Sequence, residues 1–333
     1  MIKTLNACKI IVAILFSLAG TMQVMAIPAK PGKIQRIQPD GSTLTFELKG
    51  DEHCHALYTC DGYMLADDNG ALYYAKMVEG KAVSSNVLAH ESNSRDSEEK
   101  MFVSNLEKIE FSKLYNTPEV QSSRAKAIKK ASGDDFPAEG EMRGIVLLVD
   151  FKNLKMLEQH DQDSWSKLMN EENTEIYNAT GSAADYFKSQ SMGVFAPKFD
   201  VIGPIEMDKD FEYYGRNDGR GQDLHPQDMV KEACEKAHSD FGVDFSKYDY
   251  DGDGYVDFVY LFYAGYGEAS GADSNTIWPH SSRISIFGYD LKLDGKVIDS
   301  YACSNELYGT FGDTHDGIGA FCHEFSHGLG LPD

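Results

Sequence analysis

The chain has 333 residues, enough for two domains once any targeting segment is set aside. Charged residues make up 25% and hydrophobic residues 42%, an ordinary globular balance. The formal net charge of −22 excludes nucleic acid as a partner, because no basic patch dominates such a field, and fits a soluble exported protein that binds cations.

Residues 1–26 have the form of a secretory signal peptide. Lys3 and Lys9 supply the positive end, an apolar run extends from Ile10 to Leu18, and Val24-Met-Ala26 is a small-residue cleavage site. That run is too short to span a membrane as a stable helix, and no other window is apolar enough, so no membrane insertion is expected. Cys8 precedes the apolar run, which leaves no lipid-anchored cysteine evident.

From Ile27 to about Lys76 the pattern is β. Thr43 to Lys49 alternates strictly, with Leu44, Phe46 and Leu48 on one face, and Pro39-Asp-Gly41, Asp61-Gly62 and Asn69-Gly70 supply turns. This predicts a small antiparallel meander, followed by one helix over residues 95–116, with Met101, Leu106, Ile109 and Leu114 among charges. The unit spans 27–115. Residues 116–140 carry Arg124, Lys126, Lys129 and Lys130 and are predicted to be a solvated linker open to proteolysis, so the β unit has the organisation of a propeptide. Of the five cysteines beyond the signal peptide, Cys54 and Cys60 are candidates for a bridge, and Cys322 is expected as a buried core thiol.

A larger domain follows over 141–333. Gly144 to Phe151 is a continuous apolar run, expected as a central strand buried on both faces. Helices are predicted near Ser164–Asn170, Ser182–Ser191 and Pro226–His238, with an extended segment from Phe195 to Ile202. This mixture points to an α+β domain.

Asp249, Asp251, Asp253, Gly254 and Asp257 form D-x-D-x-D-G-x-x-D. Alternate carboxylates place hard oxygens around one point, Gly254 allows the sharp turn, and the Tyr255 carbonyl adds a ligand, as in a calcium loop. The twelfth position is Tyr260 instead of glutamate, and Val256–Tyr263 has strand character, so the expectation is a structural Ca²⁺ loop running into a strand. The end of that strand, Tyr263-Ala-Gly265, is a candidate edge for pairing with an extended peptide. Trp278 and His280 are weaker candidates for a cleft, and Asp316 for a helix N-cap.

The chain closes on His323, Glu324, His327, Gly330 and Asp333, the pattern HExxHxxGxxD. On a helix, Ile318, Phe321, Cys322, Phe325 and Leu329 fall on one apolar stripe. His323 and His327 point away from it, one turn apart, so both imidazoles reach one zinc ion. Glu324 is placed to hold a water and take its proton. Gly328-Leu-Gly-Leu-Pro332 ends the helix in a reversal that carries Asp333 back as a third ligand.

The segment resembles the immune inhibitor A family of secreted bacterial zinc metallopeptidases, relatives of the metzincins whose third ligand is an aspartate. Gly181–Gly193, Tyr248–Asp257, Tyr263–Gly267 and Ile277–His280 are similar to the same family, so the likeness covers most of residues 140–333. It implies a zincin-like catalytic domain, a twisted mixed sheet with an active-site helix, preceded by a propeptide. It also implies a secreted zinc endopeptidase made as a zymogen and acting on protein or peptide substrates outside the cell. In that family the chain continues past the aspartate into a methionine-containing turn and a C-terminal subdomain, whereas here the last residue is Asp333, so a domain lacking that subdomain is expected. The alternative is a non-catalytic, calcium-stabilised exported binding protein or inactive fragment with an incomplete zinc site. Oligomeric state is not legible in the sequence.

Overall fold

A computed structural model of the chain describes residues 27–79, 81–122, 138–218 and 221–331. The expected signal peptide, the centre of the expected linker and Asp333 lie outside the described residues. Six strands, β1 (Ile34–Ile37), β2 (Thr43–Asp51), β3 (Cys54–Thr59), β4 (Met64–Asp68), β5 (Ala71–Val78) and β6 (Lys81–Leu88), pair with their sequence neighbours as an antiparallel meander. Leu44, Phe46 and Leu48 on β2 are all buried between more exposed neighbours, as alternation requires. Leu44, Phe46, Leu72 and Tyr74 pack against Val103 of helix α1 (Ser97–Ser104), which starts where the Asp96 side chain accepts from the Glu99 amide.

The single helix expected over 95–116 is two. Ser104 Oγ and Asn105 Nδ2 both donate to the Met101 carbonyl at 2.8 Å, and this side-chain competition closes the turn. The chain resumes as helix α2 (Phe111–Tyr115). Residues 118–122 are also helical, with Val120 buried, so packed structure runs past the expected boundary into the predicted linker. The Cys54–Cys60 bridge is corrected as well. Cys54 opens β3 and Cys60 follows its last residue, so an extended strand holds them roughly 20 Å apart, too far for a disulfide between them.

The second domain is built on a five-stranded sheet made by β7 (Arg143–Asp150), β8 (Lys198–Glu206), β9 (Val259–Tyr266), β10 (His280–Arg283) and, after the short pair β11 (Lys292–Leu293) and β12 (Lys296–Val297), β13 (Ser300–Leu307). The order is β10-β13-β9-β7-β8; β10 runs antiparallel and the others are parallel. β7 lies inside the sheet with Ile145 to Val149 buried, as its apolar run predicts. Alternate residues feed two cores. Ile145, Leu147, Leu261, Tyr263, Tyr301 and Cys303 face helix α6, and Val146, Leu148, Tyr260, Phe262 and Ala302 form the opposite core.

The helices match their sequence signals. α3 (Gln162–Asn170) starts at Asp161, and α4 (Ala183–Gln190) starts with a capping box between Ser182 and Asp185. After the short α5 (Phe211–Gly215), α6 (Pro226–Phe241) has proline in its first turn and ends at Gly242 in the left-handed region, φ 67°. The candidate peptide edge at Tyr263–Gly265 is corrected, because β9 is interior, flanked by β13 and β7; the edges of this sheet are β10 and β8.

The two domains meet at the loop before β10. Ala29 and Leu48 pack with Ala269 and Trp278, the Lys30 amide donates to the Ala269 carbonyl (2.8 Å), and Trp278 Nε1 donates to the Ile27 carbonyl (3.2 Å). Arg36 adds bonds to the Gly271 and Ala272 carbonyls.

Candidate metal centre

The histidine pair is carried by helix α7 (Gly319–Gly328). Its buried stripe, Phe321, Cys322 and Phe325, lies on the sheet: the Phe321 ring is 4.5 Å from Tyr260 and 5.1 Å from Phe199, and Phe325 is 5.3 Å from Phe199 and 5.6 Å from Phe258. Burying each ring contributes roughly 1.5–3 kcal/mol, which fixes the rotation of the helix about its axis. Cys322 is a core thiol as expected, pushed up to about 12 by burial. Near the other end Gly328 lies against Phe258, where an added Cβ would come within 2.9 Å of the ring.

His323 and His327 sit together on the remaining face, both half-buried, with ring centroids 5.0 Å apart and planes at 88°. Glu324, between them in sequence, is 2% exposed. The predicted reversal is present in its first part. Gly330 takes φ 78°, its amide donates to the His327 carbonyl, and the Leu331 amide donates to the Ser326 carbonyl, which together make a Schellman ending. His327 Nδ1 donates to the Leu331 carbonyl at 2.9 Å. In the neutral ring that bond leaves the lone pair on Nε2, the tautomer a metal requires. The donor set therefore fits a borderline cation such as Zn²⁺. Asp333 lies outside the described residues.

The loop entering α7 is braced by a buried cluster that local sequence pattern missed. Glu306, fully buried at the end of β13, takes His160 Nδ1 at 2.6 Å and the Leu157 amide on one oxygen, and the Gly265 amide on the other. His315 stacks on Tyr177 (4.3 Å, 9°), packs against Trp165, and accepts from the Gly317 amide. Burial first, and His160 second, push its pKa down to about 3, so it stays neutral. Glu306 ends the polar run Ser304-Asn-Glu306 of β13, so its own neighbours give no sign of its burial. Asp316 is not the N-cap, which falls at Ile318; its carboxyl is instead pushed up to about 6 by burial against weaker help from Asn305 and Lys30.

The acidic loop folds around its own amides. Asp249 accepts from the Gly252 and Gly254 amides, Asp251 from Asp253, and Asp257 from Tyr250. Carboxylate oxygens of Asp249, Asp251 and Asp257 lie within 4.8 Å of one another. Asp253 stands outside this group, exposed, with its side chain accepting from the Tyr255 amide. Burial, and then repulsion from Asp251, Asp249 and Asp253, pushes Asp257 up to about 7. Lys296 on β12 reaches Asp249, the Val256 amide donates to the Val297 carbonyl (2.8 Å), and the Val297 amide donates to the Gly254 carbonyl (3.0 Å). Trp278 belongs to the domain junction. His280 is buried between the Trp278 carbonyl (2.7 Å) and the Tyr301 hydroxyl (2.8 Å), in the core facing α6 and away from α7.

A mixed sheet with the HExxH helix laid on one face defines a class, and comparison with known families agrees. Residues 142–333 match the immune inhibitor A peptidase M6 catalytic domain, and the chain belongs to that family. Among individual relatives, the pre-pro-metalloprotease PrtV of Vibrio cholerae serotype O1 (strain M66-2) is 28% identical over 173 residues, covering 46% of this chain and 18% of PrtV. Immune inhibitor A of Bacillus thuringiensis subsp. alesti is 26% identical over 169 residues, covering 44% of this chain and 24% of that protein. The chain thus spans less than a quarter of the length of these curated relatives. Among the described residues no helix is long and apolar enough to cross a membrane.

Proposed function

We propose that the second domain is a zinc-dependent endopeptidase of zincin type, exported behind residues 1–26 and held as a zymogen by the β domain. The observation that carries this reading is one helix presenting two half-buried imidazoles outward beside a buried glutamate, with His327 oriented through Nδ1. His323, His327 and Asp333 would hold Zn²⁺. The ion, when bound, lowers the pKa of a water and polarises a peptide carbonyl.

The remaining work falls to the chain. Glu324, in a dry setting beside Phe325 and Cys322, accepts a proton from the attacking water on its carboxylate and returns it to the leaving amine. Its burial keeps the carboxylate away from bulk solvent, so the proton is retained between the two transfers. The antiparallel edge strand β10 supplies backbone groups with which an extended substrate can pair, and α7 runs beside that strand.

Calcium is assigned to the acidic loop, with Asp249, Asp251 and Asp257 as carboxylate ligands, and Asp253 and the Tyr255 carbonyl closing the shell. Its role is structural, because the loop leads directly into β9 and is tied to β12 by backbone bonds. The β domain acts as the propeptide through its seat on the loop before β10, and the basic stretch at Arg124–Lys130 is where it is cut. Substrates are proteins or peptides. The test is Glu324→Ala: zinc content of the purified protein is measured beside hydrolysis of casein, and retained zinc with lost hydrolysis is expected.

A further inference from the structure

The imidazole of His55 on β3 reaches from the β domain into the second domain. It is 7% exposed and stacks on Trp278 with ring centroids 4.3 Å apart and planes at 24°. Nδ1 donates to the Asp51 carbonyl (3.2 Å) and Nε2 lies 3.0 Å from Glu268 Oε1. Both nitrogens have an oxygen acceptor within reach, which favours the protonated ring, and Asn217 Nδ2 also lies 3.4 Å from Nε2. Burial opposes that charge, and the charge and hydrogen bond of Glu268 outweigh it, raising the His55 pKa.

The socket contains more acceptors than an imidazole uses. Glu268 is only 4% exposed, and its Oε2 has no hydrogen-bond partner among the described residues; the same holds for Asp223 Oδ1 and Asn217 Oδ1. These residues are one connected group. Asn217 Nδ2 donates to Glu268 Oε1 (2.7 Å), and the Trp278 amide donates to Asp223 Oδ2 (2.9 Å). Burial raises the pKa of both carboxyls, and the Glu268 charge raises Asp223 further, an expense that a resident cation removes. An indole face beside unfilled carboxylate and amide oxygens matches a planar cation with several N–H donors. Guanidinium has five donors in a fixed fork and stacks on aromatic rings, whereas His55 has a single N–H to give this socket.

Its position is also informative. Trp278 lies two residues before β10, the edge strand against which an extended substrate is proposed to pair, so the socket sits at one end of that edge. We propose that the Trp278–Glu268–Asp223–Asn217 socket binds an arginine side chain of the protein substrate, and that His55 plugs it while the β domain is in place. The word substrate rests on the peptidase reading; the chemistry of the socket does not.

The experiment uses the full chain with His55→Ala, which unplugs the socket, and reads thermal unfolding during titration with ethylguanidinium or its neutral counterpart ethylurea. Saturable stabilisation by ethylguanidinium is expected, at concentrations at least about ten-fold lower than any effect of ethylurea, and it is lost in His55→Ala combined with Glu268→Gln. His55→Ser carries the same titration should the alanine variant lack a cooperative transition. Equal responses to the two compounds overturn the proposal. So does stabilisation by calcium chloride that matches ethylguanidinium and disappears with Glu268→Gln, which makes the socket a metal site. No peptide is hydrolysed in this assay, so its failure leaves the peptidase reading standing, and loss of that reading leaves its result intact.

Discussion

Gly328→Ala sets two effects of opposite sign against each other at the end of the metal-bearing helix. Alanine is the better helix former by about 1 kcal/mol in a helix interior, and by less at a last position. The new methyl, however, would stand 2.9–3.1 Å from three atoms of the Phe258 ring. That ring is 3% exposed and meets Phe325 edge-on at 5.6 Å, so it has little room to withdraw. Overpacking of this kind costs about 1–3 kcal/mol, so the net expectation is destabilisation by about 1–2 kcal/mol. The helix relieves the clash by lifting its C-terminal turn, which carries His327 and its Leu331 bond. Zinc affinity, measured by competition with a chromophoric chelator, is therefore expected to fall about ten-fold, the lower end of what loss of ligand orientation costs. Chemical denaturation supplies the stability. A variant more stable than the parent, with unchanged zinc affinity, would refute the packing argument.

Other outcomes follow from the same structure. Asp257→Asn removes one of three crowded carboxylates, so it is expected to raise the melting temperature when calcium is chelated and to lower it when calcium is present; the same sign in both conditions contradicts a calcium loop. His315 is neutral when folded, with its pKa lowered from 6.5 to about 3, so the unfolded chain binds the extra proton first. Its contribution is intact above pH 6.5 and is lost as pH falls from there towards 3, by at most about 1.4 kcal/mol per pH unit. His315→Phe should keep the stack on Tyr177 and flatten that acid limb in denaturation curves taken from pH 7 to 4, and an unchanged slope would remove His315 as its source.

What the sequence conveys well is whatever depends on near neighbours. The β7 run, the helix near Ser182–Ser191, Pro226 opening α6, the alternation of β2 and the apolar stripe of α7 are each written within a dozen residues, and each has its expected place. The break between α1 and α2 was hidden because it depends on Ser104 and Asn105 turning back to one carbonyl in a stretch of good helix pattern. β10 was hidden because its residues, His-Ser-Ser-Arg, are polar and few, and only pairing with β13 makes them a strand. The charged clusters are the least legible. His160 meets Glu306 across 146 positions and His55 meets Glu268 across 213, so nothing local marks either pair. In the acidic loop the alternation of carboxylates was visible, but the turn geometry that leaves Asp253 outside the group was not.

The most direct test is Glu324→Ala beside the parent, both cut at the Arg124–Lys130 stretch with trypsin that is then inhibited, with zinc content determined by mass spectrometry and casein hydrolysis measured on the same preparations. Zinc is expected to stay at the parental level, because Glu324 is assigned no ligand role, with hydrolysis reduced by about 10²–10⁴-fold or more. Parental hydrolysis in a zinc-loaded Glu324→Ala protein would contradict the role assigned to Glu324.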